Sequence, residues 1–311
     1  MIISASRRTD IPAFYSDWFF RRLREGYLLV KNPMNRMQVS RINLTPDTVS
    51  CIVFWTKNPQ PMLNRINQLK DYTFYFHFTI TAFGHLIEKQ LPDKDIIIDT
   101  FKRLSDQIGP ERIIWRYDPV FYIDKYDYSF HTRYFEYLAK SLEGFTERCM
   151  YSFLTVYKKC GKNMKGFEFQ RPAIDDMFAL SHQFSSAASA HGIKLQTCAE
   201  NSDFSDHGII KGKCIDDELI SRISGKKLTI PKDSNQRDAC LCSSSIDIGA
   251  YNTCVHRCIY CYANYDHNLA AENYREHKSG AELITGTLAG DEKIYERIDR
   301  HKNPGQINMF D

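Results

Sequence analysis

No stretch of the 311-residue sequence reaches the roughly 18 consecutive apolar residues that a membrane-spanning helix needs, so no transmembrane anchor is expected. An export signal is missing too. Arg7 and Arg8 sit where a twin-arginine signal would carry them, but Asp10, Pro12 and Asp17 follow in place of a long apolar segment. Nor is there a surplus of one charge: 41 Lys and Arg against 38 Asp and Glu leave a formal +3, short of the basic excess that marks a nucleic-acid binder by composition alone. A small anionic substrate or a local basic groove remains compatible with that balance. Repeats at solenoid spacing and low-complexity tracts are lacking as well. The ten cysteines, without an export signal, read as reduced thiols and metal ligands of a cytoplasmic protein, because thiol buffers there keep disulfides open.

What is present is the composition of a globular chain, 43% hydrophobic and 25% charged, long enough to bury a full core. Runs rich in β-branched and aromatic residues predict strands at Ile2–Ser6, Val49–Thr56, Thr73–Thr81, Arg112–Tyr117, Met150–Tyr157 and Ile193–Cys198. Between them, helical patterns cover Asp17–Glu25, Ile96–Ile108, Tyr128–Leu142 and Ala173–Ala190, with Gly26, Gly109, Gly144 and Gly192 where helices stop. Such alternation implies parallel pairing through right-handed crossovers. The fold expected is α/β: an incomplete or six-stranded parallel β/α barrel over residues 1–235, a cysteine-rich segment over 236–280, and a polar tail or surface strap over 281–311. Short helices are expected at Asp216–Ile223 and from Tyr262 to about His277.

The predicted strands end in reactive groups. Arg7, Arg8 and Asp10 follow the first, Lys57 and Asn58 the second; Thr79 and Thr81 close the third; Arg116 and Asp118 follow the fourth and Glu200 the last. Functional residues drawn from the C-terminal ends of several strands are what a β/α barrel with its site on that face presents. Arg7, Arg8, Asp10, Lys57, Arg116, Asp118 and Glu200 are therefore the candidate catalytic residues, the arginines suiting a carboxylate or phosphate. The ordinary alternative for each one is a loop charge or strand cap.

Cys254, Cys258 and Cys261 stand at C-x3-C-x2-C spacing, with Tyr260 before the last of them. A tight loop can turn three thiolates to one iron–sulfur cluster, and three ligands leave one iron of a four-iron cube open. Cys240 and Cys242 could instead complete a zinc site with the loop thiols. Cys198, Cys214, Cys240 and Cys242 could together hold a second metal centre, whereas Cys51, Cys149 and Cys160 read as packing or surface thiols. His256 reads as a residue that orients the loop rather than as a ligand.

With an aromatic residue before its last cysteine, Cys254-Val-His-Arg-Cys258-Ile-Tyr-Cys261-Tyr-Ala resembles the signature of the radical S-adenosylmethionine enzymes, and especially the spore photoproduct lyase branch. The chain as a whole, through Ser4–Tyr15, Phe54–Pro59, Trp115–Pro119 and the cysteine loop, resembles the family called domain of unknown function 1848. The radical-enzyme resemblance implies a [4Fe–4S] cluster on Cys254, Cys258 and Cys261, with S-adenosylmethionine bound to the fourth iron. In those enzymes the loop follows the first barrel strand; here it follows the last β/α unit. Two other readings use the same residues: an iron–sulfur electron carrier or sensor without S-adenosylmethionine, and a zinc-stabilised nucleic-acid binder whose Trp55, Trp115 and tyrosines stack on bases. The end of the chain, Gln306-Ile-Asn-Met-Phe310-Asp311, resembles the peptide with which bacterial polymerases and repair proteins dock on the DNA sliding clamp. Packing of Ile307, Met309 and Phe310 on the protein's own surface is its ordinary alternative.

Overall fold

The computed structural model describes residues 1–157 and 160–297. The clamp-like peptide Gln306–Phe310 lies outside these. In chain order the strands are β1 (Ile2–Ala5), β2 (Tyr27–Asn32), β3 (Asn35–Asn43), β4 (Cys51–Thr56), β5 (Phe74–Thr79), β6 (Ile113–Val120), β7 (Tyr122–Ile123), β8 (Arg148–Phe153), β9 (Phe169–Gln170), β10 (Lys194–Thr197), β11 (Ile210–Lys211), β12 (Ile246–Asp247) and β13 (Lys293–Glu296). The helices are α1 (Ile11–Phe14), α2 (Ser16–Glu25), α3 (Gln60–Leu63), α4 (Lys94–Ile108), α5 (Tyr128–Ser141), α6 (Ile174–Ala190), α7 (Asp217–Ser224) and α8 (His267–Glu276).

All six expected strands form, as β1, β4, β5, β6, β8 and β10, and they lie side by side in chain order. Every pairing in this sheet is parallel. Two short strands extend it to eight: β11 beyond β10, and β12 on the outer side of β1. No pairing joins β11 to β12 among the described residues, so the sheet is not closed by hydrogen bonds. The count of six therefore holds for the long strands only. Two-residue strands carry too little periodicity to be read from sequence.

The central strands β1, β4, β5 and β8 are buried on both faces, as parallel strands under helices must be, whereas β10 buries only Leu195 and Thr197. On one face lies the larger core. There Ile97, Ile98, Phe101 and Leu104 of α4 recur at helical spacing toward the sheet, and Phe135 of α5 stacks on Trp115 at 4.8 Å and on Phe184 of α6 at 4.2 Å. The other face takes Ile2, Val53, Tyr75, Ile114 and Met150, packed with Leu219 and Ile220 of α7 and with Cys214, Cys240 and Cys242. The polar stretch after residue 200 thus leads into a second core rather than away from the sheet.

Three local expectations change. The helix foreseen from Tyr262 begins at His267, because the Asp266 carboxylate caps it by accepting from the Asn268 and Leu269 amides at 2.8 and 3.2 Å. An unforeseen hairpin, β2–β3, pairs with β13, so residues 293–296 form a strap on its edge. Trp115 is fully buried in the core and cannot stack on bases.

Candidate metal centre and cavity

The C-terminal ends of the central strands open into one cavity of about 880 Å3, and the cysteine loop is part of its wall. Arg7, Arg8 and Asp10 reach it from β1, Lys57 from β4, Thr79 from β5, Arg116 and Asp118 from β6, and Cys198 from β10. Cys254, Cys258, Tyr260 and Cys261 face the same space, as do Cys214, Cys240 and Cys242. Asn58, Thr81 and Glu200 do not line it. Glu200 follows Ala199, whose left-handed backbone (φ 52°) turns the chain, so that the carboxylate accepts the Phe153 amide at 2.8 Å and pairs with Arg171 at 2.9 Å. Glu200 is thus a brace between segments, and its candidacy as a cavity residue is withdrawn.

The loop reaches the cavity because β12 is tied to β1 by Asp247. Its carboxylate accepts Ser4 Oγ at 3.1 Å, Ser6 Oγ at 2.5 Å and the Arg7 amide at 2.8 Å, and it pairs with Arg8 at 3.0 Å. Burial raises the pKa of this carboxyl, but Arg8 and the hydrogen bonds outweigh it and the net shift is downward. Sequence reading passed over Asp247, although an acid in Ile246-Asp247-Ile248 just ahead of the cysteine loop was a visible signal. At Gly249 the chain passes so close to β1 that a Cβ would lie 2.2 Å from Ser6 Oγ and 2.6 Å from Thr9 Oγ1. Gly249→Ala is expected to cost about 1–3 kcal/mol, as overpacking does. Urea unfolding checks this, and an unchanged midpoint would show that the two elements can separate freely.

Beyond Gly249 the loop is anchored on several sides. Thr9 Oγ1 contacts Thr253 Oγ1 at 2.6 Å, Tyr15 OH donates to the Thr253 carbonyl at 2.7 Å, and the Ile259 amide donates to the Ile87 carbonyl at 3.0 Å. His256 bonds Asp10 at 2.7 Å and packs on Phe14, which fits the orienting role read from sequence. Both carboxylate oxygens of Asp10 are engaged: Oδ2, which bonds His256, also takes the Lys57 amide at 2.7 Å, and Oδ1 takes the Ala13 amide at 3.1 Å. Asp10 therefore positions the loop from the cavity wall.

Glu88, which sequence reading did not select, organises the wall beside Tyr260. It is buried and accepts from Lys57 Nζ at 2.6 Å, Lys94 Nζ at 2.9 Å, Thr81 Oγ1 at 2.9 Å and Tyr260 OH. Burial pushes its pKa up, but Lys57 and Lys94 overcome this and hold the group well below the carboxylate range. Lys57 moves the other way: burial opposes its charge, Glu88 outweighs burial, and its pKa is raised.

Burial raises the pKa of all three loop thiols. At Cys254 the Asp10 carboxylate and the two other loop thiols add to burial, and at Cys258 Lys57 opposes burial while Glu88 adds to it. At Cys261 the Ala263 and Asn264 backbone amides oppose burial without outweighing it. Three thiols on one short loop of the cavity wall are the donor set that an iron–sulfur cluster takes.

Across the cavity the other four cysteines form a chain of contacts. Cys198 Sγ lies 3.2 Å from Cys214 Sγ, and Cys240 and Cys242 pack in the same small core as Cys214. The Cys214 contact, set against burial, lowers the Cys198 pKa to about 7. Arg7 and Arg116 flank the Trp55 ring at 5.1 and 5.2 Å, and Arg116 Nη1 donates to Cys214 Sγ at 2.9 Å while its Nη2 pairs with Asp118. Among the described residues no group of three or more His, Cys, Asp or Glu side chains stands, as placed, where it could hold a metal ion. Cys51 and Cys149 are buried in the sheet, and Cys160 packs beneath the cysteine loop with Cys258 and Tyr260. None of the described helices is long and apolar enough to cross a membrane.

No curated protein and no solved structure matches this chain. The protein family described as "Domain of unknown function (DUF1848)" matches residues 2–263, a span that takes in every strand of the parallel sheet and the whole cysteine loop, and the chain belongs to that family.

Proposed function

We propose that this protein is a radical S-adenosylmethionine-type enzyme holding a [4Fe–4S] cluster on Cys254, Cys258 and Cys261. The observation that carries the reading is the opening of a three-thiol loop into a cavity lined by the ends of parallel strands. When bound, such a cluster supplies the electron that cleaves S-adenosylmethionine reductively to methionine and a 5′-deoxyadenosyl radical.

The sheet order supports the same reading. Because β12 lies outside β1, counting β12 first makes the cysteine loop follow the first strand of an otherwise ordered parallel series. That is the radical enzymes' arrangement with the chain opened one strand later, and it suits an incomplete barrel.

The rest of the chemistry falls to this chain's own side chains. Lys57, Thr81 and Lys94 fix Glu88, and Glu88 holds the Tyr260 hydroxyl beside Cys261. Asp10 and His256 hold the loop's other side. Around the cavity five basic side chains, Arg7, Arg8, Lys57, Arg116 and Arg237, face three acidic ones, Asp10, Asp118 and Asp247, a balance suited to a substrate with a carboxylate or phosphate. That none of the ten cysteines is in a disulfide suits the reducing cytoplasm.

The test is anaerobic purification followed by addition of S-adenosylmethionine and dithionite. Formation of 5′-deoxyadenosine is expected. A chain that carries iron and acid-labile sulfide but releases none would be an electron carrier or sensor, and one that carries zinc on the loop would refute the cluster.

A further inference from the structure

We infer that Cys198, Cys214, Cys240 and Cys242 form a separate four-thiolate site for one soft divalent ion of the zinc or ferrous class, on the cavity wall opposite the cysteine loop. The four come from three places in the chain: Cys198 from the end of β10, Cys214 from the turn after β11, and Cys240 and Cys242 from a C-x-C run ahead of β12. Independent packing thiols would have no reason to meet. Here Cys198 Sγ lies 3.2 Å from Cys214 Sγ, and Cys198 packs against the one small core that Cys214, Cys240 and Cys242 share.

The backbone of the site is built as well as its sulfurs. Two side chains of β5 hold the Cys214 carbonyl, Tyr75 through its hydroxyl and His77 through Nε2, each at 2.7 Å. Two residues earlier, Gly212 passes so near the sheet that a Cβ would lie 2.7 Å from Met150 Cε and 2.9 Å from Gln196 Oε1. The Ile215 amide points at Cys242 Sγ at 3.4 Å.

Charge gives the independent observation. Four thiolates around a dication leave a net double negative charge, and two guanidinium groups stand beside this set. Arg116 Nη1 is on Cys214 Sγ at 2.9 Å, and Arg7 has a buried Nη2 that finds no hydrogen-bond partner. A buried cation with an orphaned donor is costly unless an anion accompanies it.

Geometry selects a single ion over a second cube. With metal–sulfur bonds of about 2.3 Å, ligands on one tetrahedral ion stand roughly 3.8 Å apart. The 3.2 Å between Cys198 and Cys214 is close to that, whereas ligands on different corners of a cube stand farther apart. As placed, the four sulfurs are not gathered around one point, so the ion would draw them in, and binding releases their four protons.

The site does not depend on the radical-enzyme reading, and the experiment keeps the two apart. The full chain carrying Cys254→Ala, Cys258→Ala and Cys261→Ala is purified anaerobically and analysed for zinc, iron and acid-labile sulfide. About one metal ion per chain, without sulfide, is expected to remain. Adding Cys198→Ser and Cys242→Ser should remove it. Because those changes could also impair folding, Co(II) is titrated into the metal-stripped triple variant, where thiolate-to-cobalt charge transfer and strong tetrahedral visible bands are expected at one equivalent. Absence of both metal and cobalt bands overturns the site, as does metal that survives the Ser changes. A Cys198–Cys214 disulfide in the anaerobic, metal-free triple variant overturns it too, since the pair would then be a redox couple.

Discussion

Replacing any one of Cys254, Cys258 and Cys261 with Ala is expected to remove essentially all acid-labile sulfide from the anaerobically purified protein. A cluster that already lacks a fourth protein ligand has no spare sulfur, and two thiolates do not retain a four-iron cube. Cys160 is the informative control. It packs in the same small core as Cys258, so Cys160→Ala disturbs local packing without touching the proposed ligand set. Its sulfide content should stay near that of the unmodified chain. Equal sulfide in the loop variants and in the control would refute the ligand assignment, and equal loss in all four would trace the effect to packing.

Glu88→Ala is expected to cost about 3–5 kcal/mol of stability, the range for removing one partner of a buried ion pair. The change leaves the Lys57 and Lys94 ammonium groups facing each other, with Thr81 and Tyr260 donating to nothing. Glu88→Gln keeps an acceptor and should cost less. Urea unfolding across pH adds a signature of its own. The Glu88 pKa is depressed in the folded protein, so its contribution is present above the unfolded value of about 4.3 and disappears as pH falls through the lower folded value. The raised pKa of Lys57 gives a contribution present below about 10.4 and lost as pH climbs past the folded value. Glu88→Ala should lose both limbs. A cost under about 1 kcal/mol, with an unchanged pH profile, would put the network in the class of exposed salt bridges.

The parts of this molecule legible in sequence are those with local signals. The central strands announced themselves because parallel strands buried on both faces are nearly continuous apolar runs, and the helix α4 because Ile97, Phe101 and Leu104 repeat at helical spacing. The three loop thiols were legible from spacing alone. Glu88 was not, because its partners arrive from residues 57, 81, 94 and 260 and nothing around it in sequence marks it. Glu200 misled for a related reason: position after a strand predicts an outward group, but one left-handed residue, Ala199, reverses it. Asp10 was placed correctly at the cavity, yet its role depended on contacts with Lys57 and His256 that only the fold supplies.

The place of β12 in the sheet also sets an order of events at the ribosome. Translation delivers the long strands first, from β1 to β10, and they can pair as they emerge. The outer edge of β1 stays open through all of this, and unpaired edges invite other chains. It is covered only when residues 246–247 appear, and the thiols of residues 254, 258 and 261 follow within the next 14 residues. The proposed ligands therefore leave the ribosome just after the strand that closes their side of the sheet, so a cluster-delivery machinery would meet the loop on a nearly finished scaffold. A nascent chain halted before residue 246 would have no loop to load and an exposed β1 edge, which makes it a substrate for chaperones and proteases rather than for iron.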